Sequence, residues 1–321
     1  MKSKKNTFVS RAAVGCVTTA IFLLLCIIKG IYPFGIATLD TVDFQSQWIP
    51  AYYHVWDVLH GDGSAFFDWR VGGGNNFAGV SAQFSLFSPF NLFFLFVKRS
   101  WIEKSMIEFL LIKLLAMGYG MRWFLKEQIL KEERYGIYIL AGSVGYAVNG
   151  YTLLYYGMGW LDVAAILPLL CYFFCRMAER EGDWRLGKNT LGYIVCLTLV
   201  FLINIPQAYM MCFFLIVFAG GYFFLKRQDQ PLKKNGILKF GLTSLLSLGI
   251  AAVIFLPAAR AMLGSYRLSG DEYRGISGYF LLLRQDGMDA VWKWVILGSV
   301  AVPLYSSASI PPASPYSTSN M

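Results

Sequence analysis

Two carboxylates three residues apart, Asp40 and Asp43, stand in the segment Thr38-Leu39-Asp40-Thr41-Val42-Asp43-Phe44-Gln45-Ser46-Gln47-Trp48-Ile49-Pro50. On a helix they would share one face. A carboxylate partly desolvated at a membrane surface can serve as general base toward a hydroxyl acceptor, or hold a divalent cation beside a phosphate. Either role suits group transfer. The plainer alternative is that the pair caps a surface helix running through Trp48 to Leu59, because aspartate is favoured at helix starts. His54, Asp57 and His60 have metal-ligand spacing, but the run to Gly61 and Gly63 reads better as a helix stop. Gly72-Gly73-Gly74-Asn75-Asn76 is as glycine-dense as a phosphate loop, yet it lacks the lysine and follows no predicted strand, so it reads as a tight turn. Cys171 and Cys175 lie one helical turn apart with no further ligand nearby. All six cysteines sit in apolar segments and read as buried small hydrophobes.

Other chemistry-bearing residues lie within or beside long apolar stretches. Lys113 and Asp162 are ionisable groups at membrane depth, where a charge needs a partner or a water-filled cavity. Asp162, close to the outer end of its stretch, is expected to reach the interface. Trp160, Asn204, Gln207 and Tyr209 gather at the outer mouths of neighbouring stretches and are expected to line a cavity open to the outer leaflet. An aromatic belt with helix caps accounts for Trp160 and Tyr209 as well. Arg260, Arg267, Arg274 and Arg284 fall on the outer side, where a guanidinium can meet a lipid phosphate.

The elements that carry these residues follow from composition. The chain has 321 residues, 56% hydrophobic and 15% charged, with a mean hydropathy of +0.51. That excludes a soluble cytoplasmic enzyme. The net charge of +9 does not point to nucleic acid, because the basic residues cluster between apolar runs, as membrane topology requires. Seven spans are expected, at residues 12–28, 107–124, 136–156, 161–176, 190–204, 208–225 and 237–256. Residues 84–97 hold six phenylalanines, but Ser88-Pro89 breaks the run, which reads as a helix lying in the interface. With the N-terminus cytoplasmic, this arrangement places 17 of the 28 lysines and arginines on inner loops; making 84–97 a span would move three of the four clusters outside. The first span resembles a signal peptide without a cleavage site, and is read as uncleaved. The fold expected is an all-α polytopic transmembrane bundle. It has a cytoplasmic N-terminus at 1–11, a core at 12–260 with a long outer loop at 29–106, an outer segment with a possible partial eighth span at 261–304, and a low-complexity tail at 305–321.

Several segments together resemble the YfhO family of bacterial multispan membrane proteins, which is similar to the GT-C class of glycosyltransferases. They are Asp43-Phe44-Gln45-Ser46-Gln47-Trp48-Ile49-Pro50, Gly72-Gly73-Gly74-Asn75-Asn76, Phe87-Ser88-Pro89-Phe90-Asn91-Leu92, Trp160-Leu161-Asp162 with Leu167-Pro168-Leu169, and Asn204-Ile205-Pro206-Gln207-Ala208-Tyr209-Met210. The resemblance implies a bacterial cytoplasmic-membrane enzyme acting on the outer face. Its donor would be a sugar on undecaprenyl phosphate or a related polyprenyl lipid, and its acceptor an envelope polymer such as a teichoic acid. Asp43 would be the general base, with Asp40 the runner-up; Gln47, Trp160, Asp162, Asn204, Gln207, Tyr209 and Arg260 would bind substrate. Membrane lipids are the other partners, nucleic acid is not, and no cofactor is implied beyond a divalent cation. Family members are usually longer, so the chain reads as a C-terminally truncated member. The competing expectations are a transporter or lipid flippase, for which no internal repeat is found, and an inactive truncated product.

Overall fold

The structure is a computed structural model that describes residues 2–37, 39, 44–71, 74–76, 85–132, 135–155, 159–179, 186–227 and 234–263. The chain divides into two units, Met1–Ser265 and Tyr266–Met321; every described residue belongs to the first. The expected tail and almost all of the expected outer segment lie outside the described residues.

Helix α1 (Lys2–Ile28) is followed by a π-helical turn, Phe44–Trp48, that leads directly into α2 (Ile49–Leu59). Two-residue strands β1 (Phe67–Asp68) and β2 (Asn75–Asn76) pair antiparallel on either side of the glycine-rich segment. Gly74 has φ +108°, and a Cβ there would strike the Trp69 ring at 2.6 Å, so a close backbone approach explains the glycine. The phenylalanine-rich run forms a 3₁₀ helix, Pro89–Leu95, begun by Ser88, whose hydroxyl accepts from the Phe90 amide. It is only seven residues long, with Pro89 at its start. Short turns at Arg99–Trp101 and Glu103–Ser105 then lead into α3 (Met106–Phe124). The remaining helices are α4 (Gly136–Ala147), α5 (Gly150–Leu154), α6 (Trp160–Glu179), α7 (Lys188–Ile203), α8 (Ile205–Arg227) and α9 (Lys234–Leu263).

Four helical stretches among the described residues are long and apolar enough to cross a membrane: Arg11–Ile28, Trp160–Glu179, Ile205–Leu225 and Gly236–Ala258. The three other expected spans differ for identifiable reasons. Helix α3 has the expected bounds but carries Glu108, Lys113 and Arg122. The stretch at 136–156 is interrupted, because α4 stops at Ala147 and Asn149 opens α5 with a capping box to Thr152. Helix α7 is apolar but short, at 16 residues. Helix α9 also runs past Pro257, where its span was expected to end.

Helix α3 is the hub, packed against α1, α4 and α6. Gly118 lets it approach α1 and α4 closely, since a Cβ there would already touch Val14 and Ala147. Hydroxyls join α7 to α9: Tyr193 Oη meets Ser244 Oγ at 2.8 Å, and Ser247 Oγ donates to the Ile194 carbonyl at 3.3 Å. Within α6, Pro168 cannot supply the amide that the Ala164 carbonyl would normally receive. The Tyr146 hydroxyl of α4 donates to that carbonyl at 2.7 Å, so a second helix satisfies the gap left by the proline.

Candidate functional site at the aromatic seat

The turn Phe44–Trp48 is seated by aromatic packing. Phe44 and Trp48 are buried, and each flanks Tyr52, with ring centroids at 6.5 and 6.1 Å. Tyr52 in turn lies 5.3 Å from both Phe94 and Phe109, which ties α2 to the 3₁₀ helix and to α3. Trp48 also presses on Gly159, where a Cβ would meet the indole at 2.8 Å and collide with the Ser85 hydroxyl. Only glycine fits this contact between the loop and the start of α6. Ser85 itself holds φ 55°, a backbone region that L-residues seldom adopt. Its Oγ donates to the Gly159 carbonyl at 3.2 Å, and Asn91 Nδ2 donates to the Ser85 and Leu86 carbonyls at 2.7 and 2.8 Å. These bonds hold the strained turn in place.

Beneath this seat lies an ion pair. Lys113 Nζ of α3 stands 2.6 Å from Asp162 Oδ1 of α6, and both side chains are withdrawn from solvent. The contact is close in distance but poorly aligned as a hydrogen bond; the Ser88 hydroxyl also interacts with the carboxylate. The ammonium sits over the Phe109 ring at 4.1 Å and within 6.0 Å of the Tyr52 and Phe90 rings. An electron-rich aromatic cage therefore supplements the single carboxylate.

A second charged group fastens the loop itself. Asp57 of α2 is buried between two arginines, with Arg70 Nη1 at 3.1 Å and Arg99 Nε at 2.8 Å. Arg70 also clamps Asp68 at 2.8 Å. That bond holds the Asp68 carboxyl well below the usual carboxylate range, and the same carboxylate raises the Arg70 guanidinium. His54 points Nε2 at the Ser64 carbonyl, 3.1 Å away, and Nδ1 at Asp68, 3.9 Å away.

The sequence-derived candidates separate in space. Asp40 and Asp43 lie outside the described residues. Gln47 is exposed on the seated turn. The Trp160 ring lies tilted against Tyr155 at 5.0 Å, and Tyr155 against Tyr151 at 4.9 Å, and Tyr151 hydrogen-bonds the Gln207 side chain. Asn204 is buried, and its Oδ1 accepts from the Gln207 amide at 2.9 Å. Trp160, Asn204 and Gln207 thus share one row across α5, α6 and α8. Tyr209 is exposed, edge-on to Phe213 at 5.0 Å. Asp162 does not reach the interface as expected: its first-turn position faces Lys113, so it is fully buried. Arg260 falls in the last turns of α9, and its side chain lies outside the described residues. His54, Asp57 and His60 are not gathered as ligands, because the arginines take Asp57 and the His60 ring bonds the Trp56 carbonyl and stacks on its indole. No set of three potential metal ligands occurs among the described residues. Tyr52, Ser85 and the Asp57–Arg70–Arg99 link went unforeseen. Asn91, a lone amide among phenylalanines, was the available signal for the strained turn.

Long apolar helices, interhelical hydroxyl contacts and a caged ion pair define a polytopic helical membrane protein. The chain belongs to the YfhO family of bacterial membrane proteins, whose family model, "Bacterial membrane protein YfhO", matches residues 15–285. No curated protein and no solved structure matches it.

Proposed function

We propose that the protein is a membrane glycosyltransferase of GT-C type, moving a sugar from a polyprenyl-phosphate donor to an envelope polymer on the outer face. Asp43 is its general base toward the acceptor hydroxyl, and Asp40 is the alternative. The observation that supports this reading is the seat itself. The turn that begins at the residue after Asp43 is clamped by Phe44, Trp48 and Gly159 above a buried ion pair. Such fixing suits a base that must meet a hydroxyl within hydrogen-bond reach. Trp160 and Gln207, in the aromatic row beside the seat, bind the sugar or its carrier, and Asp162 acts through Lys113 to hold the seat. A donor phosphate meets Arg260, with or without a divalent cation. The topology proposed with this function keeps the seven spans, with α3, the α4–α5 pair and α7 crossing as members of the bundle and the N-terminus inside.

A lipid flippase is the second reading, favoured by the buried Lys113–Asp162 pair, since intramembrane ions often mark a transport path. The glycan content of envelope polymers in a deletion strain separates the two. Restoration by the wild type but not by Asp43→Asn, with equal membrane levels of both proteins, supports transfer; removing a general base lowers the rate by about 10²–10⁴. Restoration by both moves the chemistry away from Asp43. Lipid scrambling by the purified protein without sugar transfer would favour the flippase.

A further inference from the structure

We infer that residues 89–105 form a seat for an anionic phospholipid head group at the membrane face where α3 begins. The segment has two sides. Phe94 and Ile102 are fully buried and Asn91 nearly so, and the Trp56 indole donates to the Val97 carbonyl at 2.7 Å, so the segment is fastened to α2 and α3. Leu92, Leu95, Phe96 and Trp101 face outward, Phe96 at 88% exposure. Such a ridge is unfavourable in water but matches the boundary between head groups and acyl chains.

Charge complementarity selects the occupant. Three cations, Lys98, Arg99 and Lys104, fall within seven positions of the ridge. Arg99 is committed to Asp57 and lies over the Tyr53 ring at 4.9 Å. Lys98 and Lys104 are exposed and make no ion pair among the described residues; the nearby Glu103 instead receives the Tyr53 hydroxyl. The Lys104 ammonium stands 5.4 Å from the centre of the Trp101 ring. Trp101 thereby sits at the level of the ammonium group, where a head-group phosphate lies when acyl chains cover Phe96 and Leu92. An anionic phospholipid meets both features at once, because its phosphodiester places a negative charge by the two ammonium groups while its acyl chains cover the apolar ridge. This inference does not depend on the glycosyltransferase reading.

The test uses the full chain reconstituted in phosphatidylcholine nanodiscs that contain a little phosphatidylglycerol with a photoreactive head group. Cross-linked peptides are then mapped by mass spectrometry. Labelling is expected within residues 92–104, falling by about fivefold for each lysine removed in Lys98→Gln and Lys104→Gln, and retained in the Lys98→Arg, Lys104→Arg double variant. Excess inorganic phosphate is expected to leave it unchanged. Labelling confined to other segments, equal labelling of wild type and the double Gln variant, or displacement by inorganic phosphate alone would each overturn the inference. The substitutions lie on exposed positions, and an unchanged thermal midpoint confirms that any loss of label is local.

Discussion

Lys113 and Asp162 each depend on the other more than the fold depends on both. A buried charge whose partner is removed keeps its desolvation penalty without compensation. Lys113→Met alone, or Asp162→Leu alone, is therefore expected to lower stability by about 3–5 kcal/mol. The double variant should recover most of that loss, measured as the denaturation midpoint in detergent. If the double variant is as unstable as the worse single one, the pair contributes something an apolar contact cannot replace. Acid sensitivity is set by a different residue. Arg70 depresses the folded-state pKa of Asp68, so its contribution is complete above the unfolded carboxylate pKa of about 3.9 and lost only as pH falls through the lower folded value. Proteolysis of the exposed stretch around residues 61–70 should stay constant from neutrality down to about pH 4.5, well above that window. Asp68→Asn should be cut faster throughout. Faster cutting of the wild type between neutral and mildly acid pH would contradict the Arg70 clamp.

Among the elements, the join between α4 and α6 gives a sharp test. Tyr146→Phe strands the Ala164 carbonyl that Pro168 leaves without an amide, and is expected to destabilise by about 1–3 kcal/mol. With Pro168→Ala already present, the helix supplies its own donor and Tyr146→Phe should do little. Additive losses in a double-mutant cycle on midpoints would sink this coupling. The sequence made the helices legible through their apolar runs, and Ser88-Pro89 marked the point where the phenylalanine-rich run starts a short 3₁₀ helix. It did not show that Tyr146 serves Pro168, because the residues are 22 positions apart in sequence and only packing brings them together. The same limit hid the aromatic seat: Phe44, Tyr52 and Phe109 fit ordinary apolar patterns until their rings are seen to converge. Lys113 and Asp162 were recognisable as costly charges, but not as partners.

For the whole molecule, the proposed topology fixes which side each loop occupies. In a variant lacking the six native cysteines, Asp62→Cys should react with a membrane-impermeant maleimide on intact cells and Lys131→Cys only after lysis. Reaction of both on intact cells would require that α3 does not cross. The sequence conveyed the helical bundle because hydropathy is a property of composition along the chain, and the family because its short motifs stand in order from Asp43 to Met210. It left the site divided, since Asp162 and Gln207 both lie at helix starts yet face different neighbours.

The Tyr146–Ala164 bond also has an order in time. In the proposed topology, a chain inserted from its N-terminus would deliver α4, with its phenol, before α6 brought in the Ala164 carbonyl that Pro168 leaves without an amide, so the acceptor would meet a donor already in the bilayer. A circularly permuted gene that made α6 first would reverse that schedule. Its product would have to recruit a lipid or water donor until the tyrosine arrived, so with that topology the linear order of the gene would be part of how the bundle is assembled.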